Sequence, residues 1–230
     1  MKLINKIINF RNFFLHKSIK NLNLIQSELK LNSNNNINPE IIAVSKTFSL
    51  DKIQPLIDYG HLHFGENKVQ EAVDKWTKIK NTNIDLKLHM IGKLQTNKVK
   101  YVIPLFDYIH SLDNLKLAEK ISQEQKKKNK FLKVFIQVNI GNESQKSGIK
   151  STDLNNFYKI CVNKFKLNII GLMCIPPQDN VIDYFSEMQK LSSSLKLNEL
   201  SMGMSADYIQ AVKYGASFVR IGSKIFGERD

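Results

Sequence analysis

From Ile41 onward, short apolar runs alternate with amphipathic segments, and no other feature constrains the fold of this chain so closely. The predicted strands are Ile41–Ser45, His61–Phe64, Leu86–Ile91, Tyr108–Ser111, Leu132–Asn139, Ile169–Cys174, Glu199–Met202 and Phe218–Ile221. Predicted helices lie between them at Leu50–Tyr59, Lys68–Lys80, Thr96–Ile103, Asn114–Lys127, Thr152–Phe165, Val181–Lys196 and Ala206–Tyr214, with a last partial helix near Lys224. Runs such as Ile41-Ile42-Ala43-Val44 are apolar at every position, as in parallel strands covered by helices on both faces. Eight such repeats predict a single (β/α)8 barrel, a TIM barrel. An open, doubly wound sheet is the alternative.

Residues 1–38 precede this pattern. The apolar spacing of Met1 to Leu15 continues through Ile19, Leu22, Ile25 and Leu29, as expected of one or two amphipathic helices. The stretch lacks the uninterrupted apolar core and small-residue cleavage site of a targeting peptide. It is read as a helical extension packed on the barrel, within one domain spanning residues 1–230. The Asn-rich stretch from Asn32 to Asn38 joins it to the first strand.

Composition mainly excludes. No apolar run is long enough to cross a membrane. Cys161 and Cys174 form no CxxC pair and no His/Cys cluster, so a reducing, cytoplasmic setting without a metal site is expected. A net charge of +13 raises the question of nucleic acid. The excess is nearly all lysine spread along the chain, however, and its one dense run, Lys126-Lys127-Lys128, falls between a helix and a strand. With no RNP-like aromatic pair and no helix-turn-helix signal, specific nucleic-acid binding is not expected. His61 and His63 share one strand face but lack a third ligand, and are read as structural.

The strand ends carry the chemistry. The first apolar run stops at Lys46, where a barrel places its functional groups. The last two strands end in Ser201-Met202-Gly203-Met204-Ser205 and Arg220-Ile221-Gly222-Ser223, loops that supply hydroxyls and glycines where barrels frequently bind phosphate. Barrel closure makes the eighth strand a neighbour of the first. A lysine beside a phosphate pocket suits a phosphorylated carbonyl compound held as an imine, of which pyridoxal 5′-phosphate (PLP) is the commonest cofactor.

Several motifs together resemble one family. They are VSKTF at 44–48, HFGENKVQEAVDKW at 63–76, HMIGKLQTNK at 89–98, VFIQVNIGNESQKSGI at 134–149, GLMCIPP at 171–177, and LSMGMSADYIQAV with GASFVRIGSKIFGER at 200–229. The family is the YggS/PROSC group of pyridoxal phosphate homeostasis proteins, and the likeness runs from Ile41 to the C-terminus. The resemblance implies a barrel of the fold type III kind, like the N-terminal domain of alanine racemase. It implies PLP held as an internal aldimine on Lys46, the Schiff-base lysine. Ser201, Met202, Ser205, Gly222 and Ser223 are implied as phosphate and ring cradle, Arg220 at the pyridine nitrogen, Asn67 near the cofactor, and Met173 as a ring contact. Ser223 replaces the usual Thr but keeps the hydroxyl. Lys93 stands where proline is common, and the N-terminal stretch is longer than usual.

An arginine at the pyridine nitrogen disfavours a proton there and weakens the ring as an electron sink. Racemases add a tyrosine from a second domain of a partner chain, and this sequence ends after the eighth-strand motif. The expected function is therefore PLP homeostasis by a carrier or buffer without robust catalysis. A weak PLP-dependent amino-acid racemase is the alternative. Apo forms of PLP enzymes are the expected transfer partners, Lys146 is a candidate for transient imine formation during transfer, and a monomer is expected.

Overall fold

The computed structural model describes residues 16–33 and 38–228. The expected helical pattern over residues 1–15 and most of the Asn-rich link lie outside the described residues. In chain order the elements are α1 (Lys17–Asn32), β1 (Glu40–Val44), α2 (Leu50–Asp58), β2 (His63–Glu66), α3 (Val69–Thr82) and β3 (Lys87–Met90). There follow α4 (Val99–Leu105), β4 (Tyr108–Leu112), α5 (Leu115–Lys128), β5 (Lys133–Val138), α6 (Leu154–Asn163) and β6 (Asn168–Cys174). The chain closes with α7 (Val181–Ser194), β7 (Glu199–Ser201), α8 (Tyr208–Lys213), β8 (Phe218–Ile221) and α9 (Ser223–Phe226).

Every strand pairs in parallel with the next, and β8 returns to β1 with Ile42 opposite Arg220, so the sheet is a closed eight-stranded barrel. Closure removes the doubly wound alternative. The second strand starts at His63 and not at His61, because the end of α2 uses the intervening backbone. Gly60 turns at φ +94, and the N–H groups of Gly60 and His61 donate to Ile57 and Leu56 carbonyls. The sixth helix stops at Asn163, short of the predicted Phe165, because Phe165 and Leu167 donate back to Ile160 and Cys161 around Lys166 at φ +54.

Two apolar layers result. Outward-facing strand residues and the helices form the large core, while Ile42, Tyr108, Phe135, Met173 and Phe218 pack inside the barrel. Barrel interiors are usually filled by branched aliphatic side chains. Here rings do much of the filling: His89 stacks on Tyr108 at 4.2 Å and His110 on Phe135 at 4.4 Å between centroids.

Helix α1 buries Ile19, Leu22, Ile25 and Leu29 and packs against α2, α8 and α9. Asn21 Nδ2 donates to the Ile225 carbonyl at 3.0 Å, and Lys224 Nζ donates to Glu28 at 2.9 Å. The Tyr208 hydroxyl also donates to Glu28. The extension thus fastens the turn that follows β8. Among the described residues no helix is long and apolar enough to cross a membrane, and no group of three or more His, Cys, Asp or Glu is placed to hold a metal.

Candidate functional site

A cavity of about 520 Å³ opens at the carboxyl ends of the strands, within the size range of ligand pockets. Its wall includes Val44 at the end of β1 and Lys46 after it, Asn67 after β2, Gly92 and Lys93 after β3, and Gln137 and Asn139 from β5 and its loop. Lys146, Ser147, Ile175, Met204, Ser205, Arg220, Gly222 and Ser223 complete most of the rest.

The root of Lys46 is fixed by an unusual turn. Thr47 adopts φ +67, a conformation that β-branched residues rarely take and that costs roughly 1–3 kcal/mol. Three bonds hold it there. The Thr47 N–H donates to Glu71 Oε1 at 2.6 Å, the Thr47 hydroxyl to the Lys46 carbonyl at 2.6 Å, and Lys75 Nζ to the Ser45 carbonyl at 2.9 Å. Beneath them Glu66 is fully buried, and its Oε1 accepts from Ser45 Oγ at 2.7 Å, Trp76 Nε1 at 2.9 Å and Lys75 Nζ at 3.0 Å. Burial opposes ionisation of Glu71, yet the Thr47 N–H and Lys75 hold its carboxyl below the ordinary value.

On β8, the strand that pairs with β1, Arg220 is buried, at 4% exposure. Its Nη1 donates to Ser201 Oγ at 2.7 Å and its Nη2 to the Cys174 carbonyl at 2.8 Å. Burial lowers the guanidinium from its ordinary value, but a group titrating so far above neutrality remains a cation. Burial also pushes the Cys174 thiol up to about 12, so the sulfur beside Arg220 is neutral.

The loops after β7 and β8 meet where Ser223 Oγ donates to Ser205 Oγ at 3.2 Å, and the Lys224 N–H reaches Ser205 Oγ at 3.4 Å. Gly203 permits this approach: it lies at φ +90, and a Cβ there would stand 2.7 Å from Ala211 Cβ. Gly222 differs. Its φ of −114 is open to any residue, and a Cβ would meet Val44 only at an ordinary 3.4 Å, so a side chain there would chiefly fill the cavity. Asn67 Oδ1 is buried on the cavity wall without a hydrogen-bond partner.

Six of the residues expected at the site therefore share this wall: Lys46, Asn67, Ser205, Arg220, Gly222 and Ser223. The other three stand behind it. Ser201 buttresses Arg220, Met173 packs inside the barrel with Phe135, and Met202 is buried in the outer core with its N–H on the Phe218 carbonyl. Gln137 and Ile175 were not singled out by sequence, because only the closed barrel brings the end of β5 and the loop after β6 beside Lys46. Met204, named only as part of the loop after β7, also lies on the wall. Lys146 lies on the wall, ion-paired with Glu143.

The family model described as the alanine racemase N-terminal domain matches residues 19–230. A pyridoxal phosphate homeostasis protein of Haemophilus influenzae is 36% identical over 225 residues, covering 91% of this chain and 95% of that protein. The structure of PipY from Synechococcus elongatus with PLP bound superposes with a TM-score of 0.78 at 32% identity, covering 87% of this chain and 97% of that one. The same protein without PLP gives 0.83 at 31% identity, covering 92% and 100%.

Proposed function

This chain belongs to the pyridoxal phosphate homeostasis proteins of the alanine racemase N-terminal-domain family, and on that premise we propose that it binds PLP through Lys46 and acts as its carrier or buffer. One observation carries the reading. A lysine, a buried guanidinium and two facing hydroxyls beside glycine converge on a single cavity large enough for the cofactor.

The residues fit the group. Asn67 Oδ1 is a buried acceptor awaiting a donor, Gly222 keeps clear a space that a side chain would fill, and Ser205 and Ser223 offer hydroxyls to a phosphate. Bound PLP supplies a reactive aldehyde and an electron-withdrawing ring. Lys46 supplies the amine that takes the covalent bond. The hydroxyls orient the phosphate and glycine allows close backbone approach. Arg220 presents donors only and cannot take up a proton, so it disfavours a proton on a ring nitrogen facing it. Among the described residues, the titratable groups on the wall are Lys46, Lys93, Lys146 and Arg220, which suits retention of an anion. Lys146 offers a second amine through which PLP can leave toward an apo-enzyme.

The shared racemase domain favours one second reading, a weak amino-acid racemase. Two experiments separate and test these. Hydride reduction of PLP-loaded protein followed by peptide mass mapping is expected to mark Lys46, and an unmarked Lys46 would overturn the binding site. Incubation with L-alanine and chiral analysis is expected to show little D-alanine, whereas turnover above about 1 s⁻¹, ordinary for enzymes, would overturn the carrier reading.

A further inference from the structure

A column of imidazoles crosses the barrel beneath the cavity. The register pairs His63 with Lys87 and His89 with Tyr108, so each of His63, His89 and His110 stands two residues further along its strand than the last. Two residues restore the same strand face, so the three rings climb one inward-facing step at a time. His63 Nδ1 lies 2.9 Å from His89 Nε2, and His89 Nδ1 lies 2.9 Å from His110 Nε2. His110 Nδ1 then reaches Ser201 Oγ across the barrel at 2.9 Å. At the lower end, His63 Nε2 faces Glu40 Oε2 at 3.6 Å, at the opposite mouth from the cavity.

The hydrogens on this column follow from its upper end. Arginine has no acceptor, so at 2.7 Å Arg220 donates and Ser201 Oγ accepts. The serine has one hydrogen of its own, and His110 Nδ1 is the acceptor the structure offers it. Burial, reinforced for His110 by the Arg220 charge, keeps both inner rings neutral, with one N–H each. His110 must then carry its hydrogen on Nε2, which faces His89 Nδ1. The same constraint places the hydrogen of His89 on Nε2, facing His63 Nδ1. The reverse order would bury the Ser201 hydrogen without an acceptor, at the cost of an unmade hydrogen bond.

We propose that Ser201, His110, His89 and His63 form one directed hydrogen-bond chain, every hydrogen pointing from Arg220 toward Glu40, and that it positions the Arg220 guanidinium for the cofactor. His110 and His89 touch nothing in the cavity; they are positioning residues that act through Ser201. The direction of the chain keeps a lone pair of Ser201 aimed at the guanidinium, so Arg220 spends donors on Ser201 and Cys174 and turns its remaining edge to the cavity. The positioning half rests on PLP binding at this site, and the polarity half does not.

Long-range ¹H–¹⁵N NMR of histidine-labelled, ligand-free protein reads the tautomers directly. His89 and His110 are expected as neutral rings protonated at Nε2, and finding either protonated at Nδ1 overturns the chain. Positioning is tested with His110→Phe, which keeps a ring against Phe135, and with Ser201→Ala. Each is expected to weaken PLP binding by about tenfold or more, as for a lost hydrogen bond to a charged group, and to change the absorbance of the bound cofactor. Unchanged affinity and spectrum in the folded variants overturn positioning. If His110→Phe does not fold, Ser201→Ala and the wild-type tautomers still decide. If wild type binds no PLP, the earlier reading falls while the NMR result stands on its own.

Discussion

At the level of single residues, Lys46 is notable for how firmly its root is held. The strained Thr47 peptide is fixed by Glu71, and Lys75 bridges Glu71, Glu66 and the Ser45 carbonyl. Lys46→Ala is expected to abolish covalently held PLP while leaving the fold intact, because the bracing bonds belong to its neighbours. Reduction and mass mapping would show it, and a retained adduct elsewhere in the cavity would reassign the lysine. Lys146→Ala is expected to leave PLP bound but slow its passage to an apo-enzyme. An unchanged transfer rate would remove Lys146 from the route. Lys75→Met leaves buried Glu66 without its cation, and breaking such a pair costs about 3–5 kcal/mol. Urea unfolding checks this, and a loss below about 1 kcal/mol, the range of an exposed pair, would mean that Glu66 is relieved some other way. Lys46 and Arg220 were legible as candidate site residues from their places near the carboxyl ends of the first and last strands, and both line the cavity. The strain at Thr47 was not, since nothing in VSKTF announces a positive φ.

Among the elements, α1 and the two phosphate-type loops are linked. Ile25 is fully buried on the inner face of α1, and Ile25→Ala is expected to cost about 2–5 kcal/mol, the range for large-to-small core changes. Because Asn21 and Glu28 hold the α9 turn, PLP affinity should fall in parallel with stability. A destabilised variant with undiminished affinity would separate the extension from the site. The apolar spacing of Ile19, Leu22, Ile25 and Leu29 announced an amphipathic helix but not the surface it covers. Strand centres were read correctly and β8 from end to end, whereas several other strand ends shifted, as at His61, because caps such as the α2 terminus take backbone groups that periodicity cannot see.

For the whole molecule, the buried imidazoles predict how stability depends on pH. Burial depresses His61 to about 4 and also lowers His63, His89 and His110. In the unfolded chain they titrate near their ordinary value of about 6.5. Between these limits the unfolded state binds protons that the native state refuses, so stability rises with pH. It should be fully present above about pH 6.5 and fall as the pH drops toward 4, before the carboxylates of Glu28, Glu71 and Glu124 begin to contribute. Urea midpoints at pH 7.5, 6 and 5, taken as about one and two steps through that window, would check it. Equal midpoints would mean that the rings are solvated or paired in the native state.

The amino-acid sequence by itself determined the family and the alternation of eight strands with helices, because the strand-end motifs are specific and the apolar runs recur at βα spacing. Closure into a barrel was decided by the pairing of β8 with β1. It also named the lysine, the arginine and the hydroxyl loops, whose roles depend on where a strand stops. Only the tertiary structure decided which residues share a wall. It moved Ser201, Met202 and Met173 behind the cavity, brought Lys146 and Gln137 to it, and aligned three histidines that stand 26 and 21 residues apart in sequence. The reason is register: a side chain's inward or outward direction repeats every two residues, but its neighbour across the barrel is set by tilt and closure of all eight strands together.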